Sequence, residues 1–171
     1  MKVDLAGKTV SPAEARLGAL VGLGSKERSS FAIRVSNGDD RSNARLLMIS
    51  ESAPDNGSKA FRVAFDTDPV FEFHDCRIRP SVEPSDIRYG QPFSYGSLQS
   101  VDGKLAFFGH EEGPRDTNRY YCVETGEALA ANADVKIWFA RWCIIQSYDD
   151  CDGKKRERVI YQYPSKEKAA R

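Results

Sequence analysis

The stretch Ile87-Arg88-Tyr89-Gly90-Gln91-Pro92-Phe93-Ser94-Tyr95, followed by Asp102-Gly103 and Lys104-Leu105-Ala106-Phe107-Phe108, decides the fold class. It reads as a strand, a turn and a second strand. Gly90 and Pro92 interrupt the first run and mark a bend or an edge, because proline cannot donate to a ladder and glycine has no side chain to pack. Asp102-Gly103 is a tight-turn dipeptide.

The same grammar extends in both directions. Phe31–Val35 and Arg45–Ile49 flank Ser36-Asn37-Gly38-Asp39, a hairpin signal with a loop longer than two residues. Ser50–Lys59 reads as a loop. Phe61–Phe65 alternates at period two, and Val70–Phe73 starts a run that continues to Ile78. Gly109–Asn118 reads as a polar loop before Arg119–Val123, and Glu127–Asn132 as a helical turn or an irregular connection. Val135–Ile145 is the most apolar segment, either two short strands or one bent strand in the core. Asp149–Gly153 is a turn, and Arg158–Tyr161 closes a last hairpin. The one helix signal is Ser11-Pro12-Ala13-Glu14, a cap, a first-turn proline and a capping-box glutamate. It predicts a short helix over 12–21, stopped by Gly22 and Gly24.

Strand, Gly-containing turn, strand recurs at Ile33–Ile49, Tyr89–Phe108 and Cys143–Tyr161. Strand-like runs at this spacing predict a mostly β domain with a short N-terminal helix, a barrel or a sandwich, and three such units are what a β-trefoil-like barrel needs. Residues 1–163 form the single domain, and 164–171 a charged, frayed tail.

Composition narrows the function classes. The 171 residues are 40% hydrophobic and 11% aromatic, enough for one core. Lys+Arg and Asp+Glu both number 25, so general attraction to nucleic acid or anionic lipid has no basis. No segment approaches the roughly 18 apolar residues of a membrane span. Asp4, Glu14 and Arg16 break any signal-peptide pattern, so an intracellular protein with reduced cysteines is expected.

Reactive residues are sparse. His74, Asp75 and Cys76 are adjacent, but neighbours on a strand point to opposite faces and share an ion poorly. His110 falls in the polar loop. Cys143 and Cys151 flank a turn, a placement that allows them to face each other across a hairpin and form a disulfide under oxidation. Asp149, Asp150, Asp152 and Gly153 lack the order of a calcium loop. Gly22-Leu23-Gly24 follows the predicted helix, the wrong order for a dinucleotide site. No catalytic set, metal site or cofactor site is predicted. The basic run Lys154, Lys155, Arg156 and Arg158 has two readings: a contact for an acidic partner such as a tubulin surface, or a charged strand edge protected against aggregation. Phe107-Phe108 and Tyr120-Tyr121 each put one ring on either strand face, a modest sign of an interface.

Ile87-Arg88-Tyr89-Gly90-Gln91-Pro92-Phe93 with Gly103-Lys104-Leu105 and Phe107 resembles a hairpin of the MIR group of β-trefoils, which includes the N-terminal domains of intracellular calcium-release channels. With Gly126-Glu127-Ala128-Leu129-Ala130-Ala131-Asn132-Ala133-Asp134-Val135-Lys136-Ile137, it is similar to cilia- and flagella-associated β-trefoil proteins of the axonemal doublet lumen. The resemblance covers about a third of the chain and leaves 1–60 outside. It implies a non-enzymatic microtubule inner protein that stabilises axonemal doublets in the cytoskeleton of a cilium or flagellum. Its partners would be tubulin and neighbouring lumenal proteins. The alternative is a ligand-binding trefoil reading a sugar or a phosphorylated small molecule.

Overall fold

The computed structural model describes residues 6–24, 30–36, 44–50, 60–65, 68–90, 96–111, 117–130 and 135–164. Among these the chain is mostly β. An eleven-stranded sheet contains β1 (Gly7–Val10), β2 (Leu20–Leu23), β3 (Ser30–Val35), β4 (Arg45–Met48), β5 (Phe61–Phe65), β6 (Val70–Phe73), β8 (Ile87–Tyr89), β9 (Leu98–Val101), β10 (Lys104–Glu111), β11 (Thr117–Cys122) and β12 (Val135–Phe139). A three-stranded sheet holds β7 (Cys76–Pro80), β13 (Trp142–Asp149) and β14 (Lys155–Tyr163), with β13 in the middle.

The strand order of the large sheet is β1-β6-β2-β3-β4-β5-β10-β9-β12-β8, with β11 paired to β10. The described pairing is therefore an open path, and the expected closed barrel is not formed. The path ends at the short strands β1 and β8, and the core lies between this sheet and the small one. One pair, β5 with β10, is parallel, an arrangement that a chain of hairpins does not require.

Two of the three predicted hairpin units form. β3 pairs with β4 and β13 with β14, both antiparallel. The loop 37–43, most of the loop 50–59 and the tail 165–171 lie outside the described residues. The middle unit differs. Ile87–Tyr89 pairs with β12, and the hairpin is instead β9–β10, turned by Asp102 and Gly103. Both turn residues have positive φ, 48° and 77°, the backbone of a two-residue hairpin turn. The Gly109–Asn118 segment is also shorter as a loop than expected, since β10 runs to Glu111 and β11 begins at Thr117.

The predicted helix over 12–21 is absent. Only the glutamate half of its capping box is made: the Ser11 amide and hydroxyl donate to Glu14 Oε2 at 3.1 and 2.8 Å, while the Glu14 and Ala15 amides donate to Ser11 O at 3.0 and 3.2 Å. The turn goes no further. Gly18 takes φ +76°, and its amide donates to Arg34 O at 2.9 Å, across to the neighbouring strand. Leu20–Leu23 then pairs with β3. A strand partner therefore takes over the hydrogen bonds that a second helical turn would need. Arg16 fastens the turn to the wholly buried Glu72, Nε to Oε1 at 2.8 Å.

Gly18 also meets a second turn. A Cβ on Gly18 would strike the carbonyl of Glu124, and one on Gly126, with φ +70°, would strike Arg34 O and Gly18 N. The two turns interlock through paired glycines.

The main core lies between the sheets. Phe31, Ile33, Leu47, Phe61, Phe107 and Tyr121 come from the large sheet, and Trp142 and Ile144 from the small one. Trp142 stacks on Tyr163 at 5.2 Å and 7°, and its Nε1 donates to Gly96 O at 2.8 Å. A second cluster, Val21, Ala32, Leu46, Met48 and Val70 with Ala15, occupies the opposite face of β2–β4. Leu20 and Val21, in β2, serve different clusters because successive strand residues alternate.

The apolar run Val135–Ile145 splits into β12 and β13, which belong to different sheets. The corner between them is clasped by Asp86. Its carboxylate accepts from Ser81 Oγ at 2.6 Å and faces Arg141 Nε at 3.3 Å, while its carbonyl accepts from Ala140 N at 2.8 Å.

Candidate functional site

The predicted contact residues sit on the β13–β14 hairpin. Its turn is organised by Asp150. Oδ1 accepts from the amides of Asp152 and Lys154 at 3.0 and 2.8 Å, and Oδ2 accepts from Arg156 Nε at 2.9 Å. These bonds, the Arg156 one foremost, hold the Asp150 carboxyl below its ordinary range. Carboxylates in a turn that accept backbone amides favour the charged form.

Arg158 points to the core-side face of the hairpin. Nε and Nη2 donate to Gln146 Oε1 at 3.2 and 2.6 Å, and the guanidinium lies 5.2 Å from the centre of the Tyr148 ring. Gln146 is wholly buried, and its Nε2 donates to Ala6 O at 3.0 Å and His74 O at 3.1 Å. This amide ties the hairpin to the start of the chain and to the turn before β7. On the opposite face, Glu157 accepts from Arg79 Nη2 at 2.7 Å and from Arg77 Nη2. The Arg79 bond lowers the Glu157 carboxyl below its usual range.

The four candidate cations therefore divide. Arg156 and Arg158 shape the hairpin. Lys154 and Lys155 are exposed, and neither side chain enters an ion pair among the described residues. Beside them an open groove of about 840 Å³ runs between the Asp75 turn and the hairpin. Asp75, Asp149 and Glu157 line it against Arg77, Lys155 and Arg156, so its charges balance. The site is a mixed-charge surface with two uncommitted lysines.

His74, Asp75 and Cys76 do not converge on an ion, and no group of three metal-ligating side chains occurs among the described residues. Asp75 adopts φ 55° at the turn. Cys76 Sγ lies 3.5 Å from His74 O, and burial, with the Asp75 charge, pushes the thiol up to about 11. That is the opposite of an activated nucleophile. His110 lies in β10 rather than in a loop, its Nδ1 2.9 Å from Asn118 Oδ1.

Cys143 and Cys151 do not face each other. Cys143 is opposite Gln162 and Arg79, and Cys151 is in the hairpin turn; both are free. The six extended steps of β13 from Cys143 to Asp149 already span roughly 20 Å at the usual strand rise.

Sequence reasoning missed Gln146, Arg77, Arg79 and Glu157. The signal for Gln146 was present: a lone amide at a core-facing position of an apolar strand. The Arg77–Glu157–Arg79 fork spans about eighty residues of sequence separation and leaves no local pattern. No family model matches the chain, and no curated protein or solved structure matches it either.

Proposed function

We propose that this protein is a non-enzymatic binding and structural domain that docks on an acidic protein surface through its β13–β14 hairpin. The observation carrying this reading is the division of charge in the hairpin. Asp150, Gln146 and Glu157 absorb the arginines, which leaves Lys154 and Lys155 exposed on a rigid support. A hairpin already held in its bound shape loses less entropy on binding, while the two lysine side chains still lose theirs. The raised Cys76 thiol supports the non-enzymatic part.

The partner is tubulin, with neighbouring lumenal proteins of the axonemal doublet, in the cytoskeleton of a cilium or flagellum. Support for this comes from the resemblance at Ile87–Phe93 and Gly126–Ile137, while zero net charge speaks against nucleic acid or membrane as the surface. A trefoil origin belongs to the same reading and is supported by the hairpins β3–β4, β9–β10 and β13–β14.

Co-sedimentation with polymerised tubulin tests the proposal. The native protein should pellet in a salt-dependent way, and the double variant Lys154→Glu, Lys155→Glu should lose most of that binding with unchanged circular dichroism. A tagged copy should mark a detergent-resistant axonemal line. Diffuse cytosolic signal together with no pelleting would sink the reading.

A further inference from the structure

We propose that β7 takes up an extended peptide of another protein as a further strand of the small sheet, with apolar residues on its groove side and acids on its outer side. The small sheet runs β14-β13-β7, so β7 is an edge with one neighbour among the described residues. The ladder to β13 fixes which backbone groups that neighbour uses. Ser81 N donates to Arg141 O and Ser147 N to Asp75 O, both at 2.9 Å, and between them β7 and β13 keep an unbroken antiparallel register. Hydrogen-bonded pairs alternate along such a ladder, so the amide groups of Arg77 and Arg79 face β13. Those of Cys76 and Ile78 point to the open side, with no backbone partner among the described residues. Pro80 has the same phase, where its missing N–H takes nothing from β13.

That open side is a groove. Cys76, Arg77 and Ile78 all line a cavity of about 340 Å³. A strand shows alternate residues on a face and consecutive ones only along an edge. Leu105, Val123 and Glu124 form part of the other wall. Unpaired backbone donors and acceptors beside apolar side chains are what strand addition uses, the main chain for affinity and alternate side chains for specificity.

Charge selects the occupant. Arg77 and Arg79 project from the outer face and share one carboxylate, that of Glu157. A second copy of β7 added antiparallel would set the arginines of the two copies against each other, and like charges directly opposite are destabilising. An acid on the outer side of the added strand meets the surplus cation instead. On the groove side the cross-strand neighbour is Ile78, which packs on the main core, and Glu124 disfavours an acid there. The fitting pattern is apolar inward and acidic outward at period two. The inference stands apart from docking through Lys154 and Lys155, which lie on the opposite edge strand and its turn.

The probe is the end-capped peptide Thr-Val-Glu-Val-Glu-Val-Thr. A labelled copy should bind the full chain in anisotropy titrations, and a peptide with lysine for glutamate should bind about tenfold more weakly. Added antiparallel, the valines lie opposite Cys76 and Ile78, so N-methylation of the valine amides should abolish binding and N-methylation of the glutamate amides should not. Amide exchange reads the edge itself. In the free chain Ile78 should exchange faster than Arg77 and Arg79, and saturating peptide should slow Ile78 about tenfold while leaving those two unchanged. Ile78→Pro removes the outward donor and spares the bonds to β13, and it should weaken binding about tenfold with unchanged circular dichroism. The peptide and exchange measurements stand without that variant. An Ile78 amide indifferent to the peptide overturns the proposal, and so does equal binding of the lysine peptide. Self-association of the chain that Ile78→Pro abolishes would assign the edge to a second copy and overturn it as well.

Discussion

Strands β3 and β14 could hardly differ more in exposure. Five of the six residues of β3 are buried, whereas no residue of β14 is. Composition explains part of the contrast, since four of the nine residues of β14 are charged against one of six in β3. Position explains the rest. β3 lies inside the large sheet with a cluster on each face, while β14 is an edge strand with the core on one side only. The stability of the domain is thus concentrated around β2–β4 and the Trp142 contact, and the outer face of the hairpin is free to vary. Edge strands rich in charge also resist strand addition. The two readings of the basic run are compatible in structure: the charges guard an edge and present two lysines.

The contrast can be broken where the small sheet meets the core. Trp142→Ala removes the stack on Tyr163 and the bond to Gly96, and it should cost about 4 kcal/mol in urea unfolding, as large aromatic truncations do. Leu46→Ala and Leu47→Ala sharpen the two-cluster account. These neighbours point to opposite faces, and each should cost about 3 kcal/mol. A strand with a single core would be hurt by only one of them. Gln146→Leu should cost about 2 kcal/mol, because Ala6 O, His74 O and Arg158 lose a buried partner together. Amide exchange should then quicken at β7 and β14 before it does at β3.

The smallest effect is the pH response of the hairpin. Glu157 and Asp150 are lowered by their arginine bonds from the usual 4.5 and 3.8. Groups with depressed folded values contribute above their unfolded pKa and lose that contribution as pH falls through the folded one. Carboxylate NMR titration should place both transitions below those ordinary values. Exposure and solvent screening should keep the accompanying change in melting temperature slight.

How much of this could be read from the chain follows from the range of the interactions. The β class, the Asp102-Gly103 turn and the hairpins β3–β4 and β13–β14 were legible because strand period and turn chemistry are local. The helix at 12–21 was misread although Glu14 reaches back to the Ser11 amide, because the competing hydrogen bond of Gly18 comes from Arg34 and could not be seen locally. Tyr89 was assigned the wrong partner for the same reason: β8 pairs with β12, about fifty residues later. At the candidate site, Lys154, Lys155, Arg156 and Arg158 were located correctly on one hairpin. Their division into structural and uncommitted cations depends on Gln146 and Asp150 geometry, which composition does not encode.

Gln146 has one more consequence. Its bond to Ala6 joins positions 140 residues apart, and β1 reaches its partner β6 only after some sixty residues of chain. Closing such large loops is entropically costly before any contact rewards it. Domains built from distant strand pairs fold over about milliseconds to seconds, far slower than helical bundles. The first strand therefore finds its sheet partner only after some sixty residues have followed it, and its tie to the small sheet closes only once β13 is present.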